Sequence, residues 1–564
     1  MSLRIGGIAS GLDTEQIVKD LMKVERTKVD KLEQNKVLLD WKQEIYNDLN
    51  KELANFILDS KKELGLSRTT STGLYVNSSV SGLDWVKKAT STNTDVSGVS
   101  ARADAIQGSY AVKVTQLATN WSAGSNDKIT SEGGSTANLA EQFNLVDSDT
   151  VNFTITTNKG EVTINKTGLA SVSINDIVNE INSADIGVTA IYDSNIDRFF
   201  LQTKETGSDN TMQITDSSTL TGGDTSFITG PTSTLKLQYI DDGGVSQNVT
   251  SGEAYSGQNA NINFGAAQNI VQGSNQFAIN GINFDLKAEG DFTVQVATDV
   301  DGVYEKVSGF VTKYNELVSK FSEKLGEKRY RDYTPLTQEQ KDTMSEKEVE
   351  LWEEKAKSGL IKEDMIVSRT MQSMRSGFYE EVEGVSGVFS QLTQIGISTD
   401  SYFSGTGGQL VINETKLKTA IRDNVDGVLE LLFKEPEDDL KSKTESSMTA
   451  SEIEQKRSQS GLIRRLFDNM VVGMKDIVSK AGAGSNADLY RNVSSSIMIN
   501  FVTNYGSISI LDKDANGLNK RIDQMKDYLI RTEDRYWKQF TSMETALQRM
   551  NSQSSWLMQQ FGGE

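Results

Sequence analysis

Cysteine and histidine are both missing from this sequence. Without cysteine there is no disulfide framework, no thiolate nucleophile and no zinc site of the usual thiolate type. Without histidine the commonest general base, the Ser-His-Asp triad and most transition-metal sites are gone as well. Most hydrolase and oxidoreductase readings end there. Carboxylate-only chemistry such as glycoside hydrolysis survives on composition, but no spacing among the many carboxylates singles out a catalytic pair. No catalytic residue, cofactor or metal is therefore expected.

Proline is scarce. Pro231, Pro335 and Pro436 are the only three, and each falls at a proposed junction or in a charged insert, outside every proposed long helix. Positive charge is in deficit, with 58 basic against 78 acidic residues and a net charge of −20. That balance repels phosphate backbones and makes nucleic acid an unsuitable partner. No apolar run approaches the ~20 residues needed to cross a bilayer, so membrane insertion is not expected. The opening Met1-Ser2-Leu3-Arg4-Ile5-Gly6-Gly7-Ile8 lacks a basic region followed by an apolar stretch, the mark of a cleaved secretory signal. Alone this reads as cytoplasmic; a protein exported by a route that reads no cleaved signal has the same appearance.

A chain of 564 residues is too long for one core, and three or four domains are expected. Its two ends are alike. Leu12 to Leu64 contains no Gly or Pro, with Asp13 as N-cap and Gln16 placed to reach back in a capping box. Ile17, Leu21, Val24, Leu32, Leu38, Ile45, Leu49 and Phe56 recur mostly at three or four residues, interrupted near Lys28 to Lys31. So narrow a stripe suits a coiled-coil seam on a rod of about 75–80 Å. From Leu518 to Phe561, Ile522, Met525, Leu529, Thr532, Tyr536, Gln539, Met543, Ala546 and Met550 repeat the design. Lone helices with such seams are marginal in water, so the ends are expected to pair as a stem. The candidate stem and partner-contact residues are Ile17, Leu21, Val24, Ile45, Leu49, Ile522, Met525, Leu529 and Met543.

Between Thr69 and Gly302 the period changes to two. Val151, Phe153 and Ile155 lead through Asn158-Lys159-Gly160 to Val162 and Ile164. Leu235, Leu237 and Tyr239 run into Asp241-Asp242-Gly243-Gly244, and Phe277 and Ile279 into Asn280-Gly281. These read as hairpins, with one short helix from Ser173 to Ile181. Helices are expected again at Val303–Leu325, Met365–Val382 and Asn413–Phe433. The charged runs Glu327–Lys357 and Glu435–Arg457 read as solvated. The expected fold is α+β and multidomain. Residues 1–68 form a stem helix, 69–120 with 232–300 an outer β-rich head domain, and 121–231 a second β-rich domain inserted in it. Residues 301–460 form a helical leg domain with a charged insert, and 461–564 the C-terminal helical region and stem.

One string imitates a metal loop. Asp512, Asp514, Asn516, Gly517 and Asp523 follow much of the EF-hand spacing. Asp523 is shorter than the usual bidentate Glu, Asn519 sits where an apolar residue belongs, and no amphipathic helix leads in, so a polar turn capping the terminal helix is the preferred reading. Gly405-Thr406-Gly407-Gly408 lacks the Gly-Lys-Ser/Thr ending of a phosphate loop.

Several blocks carry a resemblance. They are Gly7-Ile8-Ala9-Ser10-Gly11-Leu12-Asp13-Thr14-Glu15-Gln16-Ile17-Val18, Gly108-Ser109-Tyr110-Ala111-Val112-Lys113-Val114, and Phe310-Val311 with Tyr314-Asn315-Glu316-Leu317. Further on come Gly408-Gln409-Leu410-Val411-Ile412-Asn413-Glu414 and Met550-Asn551-Ser552-Gln553-Ser554-Ser555-Trp556-Leu557. In this order, across nearly the whole chain, the blocks resemble flagellar hook-associated protein 2, the filament-cap family. Asp176 to Asn182 with Gly187-Val188-Thr189-Ala190 is similar to a short repeat shared by flagellins and caps. The charged insert from Glu327 to Asp364 departs from the family pattern. The resemblance implies a ring, of five copies, at the distal tip of the bacterial flagellum, with helical ends that contact flagellin. It further implies dealings with hook-filament junction proteins and an export chaperone, and export by the flagellar type III route without a cleaved signal. Some members bind host mucins, which makes an adhesin the alternative reading.

Overall fold

The computed structural model describes residues 11–561, apart from residues 12, 72–74, 132–136, 147, 222–225, 386, 401–407, 444–446 and 483–508. The opening residues 1–10 and most of the Gly405–Gly408 string lie outside the described residues. The fold is α+β, in two units. Met1–Val80 with Val300–Glu564 form one, and Ser81–Asp299 the other.

The first unit is helical. Its N-terminal helix, Thr14–Glu63, starts where Asp13 accepts the Gln16 backbone N–H at 2.9 Å. The expected return bond does not form, because the Gln16 side chain donates forward to Asp20 instead. The base of this helix buries Leu53, Ala54, Phe56 and Ile57. There Phe56, Phe310 and Phe467 meet with ring centroids 5.6–6.4 Å apart, edge and tilted geometries that aromatic quadrupoles favour. Three further helices, Val300–Gly326, Glu414–Phe433 and Leu462–Ala481, supply the rest of this core. A small antiparallel sheet pairs Ile397–Thr399 with Leu410–Ile412, and the Asn315 side-chain amide bonds both backbone groups of Leu410 at 2.7–2.8 Å.

The helix expected to reach Val382 stops at Ser376, and Arg465 explains why. This arginine is 1 % exposed. Its guanidinium donates to the carbonyls of Gly377, Glu380, Glu381, Arg457, Ser458 and Ser460 at 2.9–3.2 Å. One cation thereby serves two chain turns, including the carbonyls of Gly377, Glu380, Glu381 and Ser460. Where this helix crosses Leu462–Ala481 the approach is so close that a Cβ on Gly473 would lie 2.2 Å from Thr370. The strand pair Ser67–Thr69 and Tyr75–Asn77 is anchored by Ser78 N–H to Leu66 O. Residues 69–80 therefore belong with the helices, not with the outer head as expected.

The second unit holds two β-cores. In the outer one, five antiparallel strands run in the order 267–272, 260–264, 108–116, 290–298, 87–91, beside a three-stranded sheet of 276–279, 282–286 and 97–101. The other core is built from sheets ordered 246–248, 237–240, 122–125, 198–203, 188–193 and 254–256, 211–216, 151–157, 160–166. Its buried residues run from Trp121 to Tyr255. The inserted domain thus continues past residue 231, and the outer one resumes near Ala260 instead of residue 232. The reason is that Leu237–Ile240 pairs directly with Ser122–Ser125, so the sheet is incomplete without residues beyond Pro231.

The turns behave as their residues dictate. Ile279 pairs with Ile282, and Asn280 and Gly281 between them take φ of 51° and 76°, the positive values a two-residue hairpin loop needs. A Cβ on Gly281 would come within 2.6 Å of the Ala105 nitrogen. Asn158-Lys159 closes the 151–157/160–166 hairpin. Ser173 and Asp176 form a full capping box on the helix Ile174–Ser183.

Candidate functional site

The C-terminal helix runs from Ile510 to Phe561, 52 residues, and begins eight residues earlier than Leu518. Gly517 is inside it and faces open space, a tolerable cost of about 1 kcal/mol relative to Ala. Its start is fixed by Ser509 and Asp512, each side chain bonding the other's backbone N–H at 3.1–3.2 Å. The bond from Ser509 leads the causes that hold the Asp512 carboxyl below its ordinary range. The Asp512–Asp523 string is therefore helix, not a calcium loop and not a turn. Among the described residues no group of three or more acidic side chains is placed to hold a metal ion, and no helix is long and apolar enough to cross a membrane.

The two long helices pack on each other and run antiparallel. Gln43 donates to Asp512 at 3.0 Å and to the Ala481 carbonyl, and Lys526 pairs with Glu33 at 2.8 Å. Of the nine candidate residues, Leu49 and Ile522 are buried. Ile17, Ile45, Met525 and Leu529 are half-buried, and Leu21, Val24 and Met543 are exposed. In the first two turns the buried positions are Val18 and Met22, followed by Val29 inside the polar interruption. Two apolar stripes lie side by side there, and periodicity alone does not choose between them.

The C-terminal seam keeps register only as far as Tyr536. After it the covered positions become Phe540, Glu544 and Leu547 in place of Gln539, Met543 and Ala546. A straight helix drifts about 20° per heptad from a strict 3.5-residue repeat, and a four-residue step restores contact.

The charged insert keeps most of its side chains in solvent, as expected, while a few of them pack on the rest of the helical unit. Tyr333 and Trp352 meet at 4.5 Å with their rings tilted by 50°, and the indole N–H donates to the Thr334 carbonyl. From there the insert follows the N-terminal helix. Tyr46 O–H donates to Asp364 at 2.6 Å, and Lys357 pairs with Glu44 at 3.3 Å while lying over the Trp41 ring. Farther along, Gln34 donates to the Pro335 carbonyl at 2.7 Å, and Lys23 meets Glu339 at 3.4 Å. From residue 46 to residue 23 is roughly 35 Å of helix. Burial, with the bond to Asp364, pushes the Tyr46 phenol above its ordinary range.

Some large apolar side chains stay uncovered by the pairing and the insert. Val24 is 68 % exposed, and Ile530, Met550, Trp556 and Met558 are 57–74 % exposed. Residues 551–560 are exposed throughout. Met550, Trp556, Leu557 and Met558 gather such side chains within the last turns of the C-terminal helix, the kind of exposed apolar surface that marks a protein contact. Arg465 and the insert's contacts escaped the sequence reading. The only signal for either was an arginine among apolar residues and a tyrosine-tryptophan cluster within a charged run.

Long paired termini around a helical core, with a β-rich excursion between them in sequence, define a structural scaffold. The family model for the flagellar hook-associated protein 2 N-terminus matches residues 10–121, and that for its C-terminus residues 257–552. The stretch between the two coincides with the inserted β-core. Flagellar hook-associated protein 2 of Halalkalibacterium halodurans is 33% identical over 99% of this chain and 100% of its own length. That of Salmonella typhimurium is 27% identical over 69% of this chain and 66% of its own. A crystal structure of the D1-D2-D3 domains of the flagellar cap protein FliD from Escherichia coli covers 76% of this chain and 95% of its own at 19% identity, with a TM-score of 0.47. The chain belongs to the flagellar hook-associated protein 2 family.

Proposed function

We propose that this protein caps the flagellar filament. It forms a ring at the distal tip, promotes folding and insertion of exported flagellin, and prevents subunit loss. Its role is structural, not catalytic. The observation that carries this reading is the full-length correspondence with the Halalkalibacterium relative, which spans stem, helical core and both β-cores. The partners are further copies of itself (five to a ring), flagellin, hook-filament junction proteins and an export chaperone, and the route out is the flagellar type III channel.

Flagellin contact is assigned to the uncovered stem positions, Leu21, Val24 and Met543 among them, because a surface that must follow a growing end cannot be locked inside its own pair. The test is Val24→Asp with Ile530→Asp in a strain lacking its own cap. Both side chains are exposed, so stability changes by less than about 0.5 kcal/mol. Rings persist by electron microscopy, filaments stay short, and flagellin monomer accumulates in the medium. Full-length filaments from the double variant overturn this assignment.

A further inference from the structure

A cavity of about 640 Å³ opens in the helical unit, lined by residues that include the base of the N-terminal helix, the 77–79 segment and the start of Leu462–Ala481. Its walls carry four cations, Lys61, Lys441, Lys456 and Arg464, against two carboxylates, Glu435 and Asp468. The balance is 4 − 2 = +2, inside a chain whose total is −20.

The carboxylates do not use up the cations. Glu435 is shared between Arg464, at 2.6 Å, and Lys441. Among the described residues, no acceptor lies within hydrogen-bonding distance of the Lys61 or Lys456 ammonium. Lys61 lies over the face of Phe467, 5.8 Å away. Burial leads the causes that hold the Lys61 ammonium below the ordinary lysine range, the neighbouring Arg464 adds to it, and Asp468 opposes it. Leaving a desolvated ammonium without an acceptor is costly, and the cost disappears if an anion completes the site. Asn77 and Ser78 line the same space and offer neutral donors.

We propose that this cavity binds a doubly charged tetrahedral oxyanion, inorganic phosphate or a phosphate monoester, with Lys61, Lys456 and Arg464 as its charged ligands. Two negative charges match the excess on the walls. A guanidinium beside two ammonium groups supplies the several charge-assisted donors that phosphate oxygens take.

The probe is inorganic phosphate titrated into the full chain at fixed ionic strength, with chloride as control, read by thermal shift and by phosphorus-31 line width. The expected result is a saturable rise in Tm with phosphate and none with chloride. Lys61→Gln and Lys456→Gln each weaken the phosphate midpoint about tenfold or more. Lys456→Gln lies away from the aromatic base, so it keeps the test valid if Lys61→Gln lowers the starting Tm. Lys538→Gln, on the C-terminal helix, leaves the midpoint unchanged. Phenyl phosphate then separates the sources: competition with phosphate extends the site to monoesters, and its absence restricts it to the free ion. Equal responses to phosphate and chloride, equal midpoints in wild type and both lysine variants, or tighter binding of succinate than of phosphate would each overturn the proposal.

Discussion

The inserted β-core and the C-terminal stem helix solve the problem of stability in opposite ways. In the β-core Phe153, Phe199 and Phe227 are among the largest fully buried side chains of the protein. Each is surrounded by strands of the same domain, so that region carries its own hydrophobic free energy. Along the 52-residue C-terminal helix the buried apolar side chains among the described residues are Leu511 and Ile522. A helix that buries so little is held by its neighbours. One region is finished in isolation, and the other is completed by whatever it touches.

The sharpest way to test that contrast is to cut the chain. A fragment of residues 121–256 should melt cooperatively, as a domain with its own core does. A fragment of residues 121–231 should give a featureless melt, because it lacks Leu235, Leu237, Val249 and Tyr255 of the same core. Circular dichroism on both distinguishes the cases, and a cooperative shorter fragment would return the boundary to residue 231.

Next in size is Arg465→Met, which removes the guanidinium from six buried or half-buried carbonyls, of which those of Arg457 and Ser458 keep a backbone donor. A loss of about 3–5 kcal/mol is expected for the helical unit, with the β-rich unit's urea transition unmoved. Lys in its place should not restore the loss, since it lacks the planar fork.

Tyr46→Phe removes the bond to Asp364, at about 1–2 kcal/mol. The sign with pH follows from the raised Tyr46 phenol. Its contribution is complete below the ordinary tyrosine range near ~10 and is lost progressively as pH rises above it. Urea midpoints of wild type and variant should therefore converge above about pH 10. The smallest effect is a gain: Gly517→Ala should raise the thermal midpoint by about 0.5–1 kcal/mol equivalent, since the added methyl meets nothing.

Local chemistry was the legible part of this sequence. Asp13, Ser173 and Asn413 cap helices where their side chains demanded, and the Asn-Gly and Asp-Asp-Gly-Gly turns close hairpins. What failed was competition between local signals and distant ones. Gly517 reads as a breaker, yet the Ser509–Asp512 cap and the contact to Gln43 start the helix before it. Pro231 reads as a boundary, yet a strand beyond it belongs between Ser122–Ser125 and Ser246–Asn248. Val18 and Ile17 are equally apolar neighbours, and only the partner helix selects between them. The cations around Lys61 are four separate stretches of sequence until the helices fold.

The insert that follows residues 23 to 46 turns the N-terminal helix into a cantilever clamped along most of its length. Tip deflection of a beam grows as the cube of its unsupported length. The core already holds the helix from Leu49 on, so of the roughly 50 Å from residue 14 to residue 48 the insert leaves about 13 Å, residues 14–22, beyond its reach, and the compliance of that stretch falls more than tenfold. A load applied at the tip of this stem is therefore transmitted to its root almost undiminished, and whatever yielding occurs is confined to the last turns.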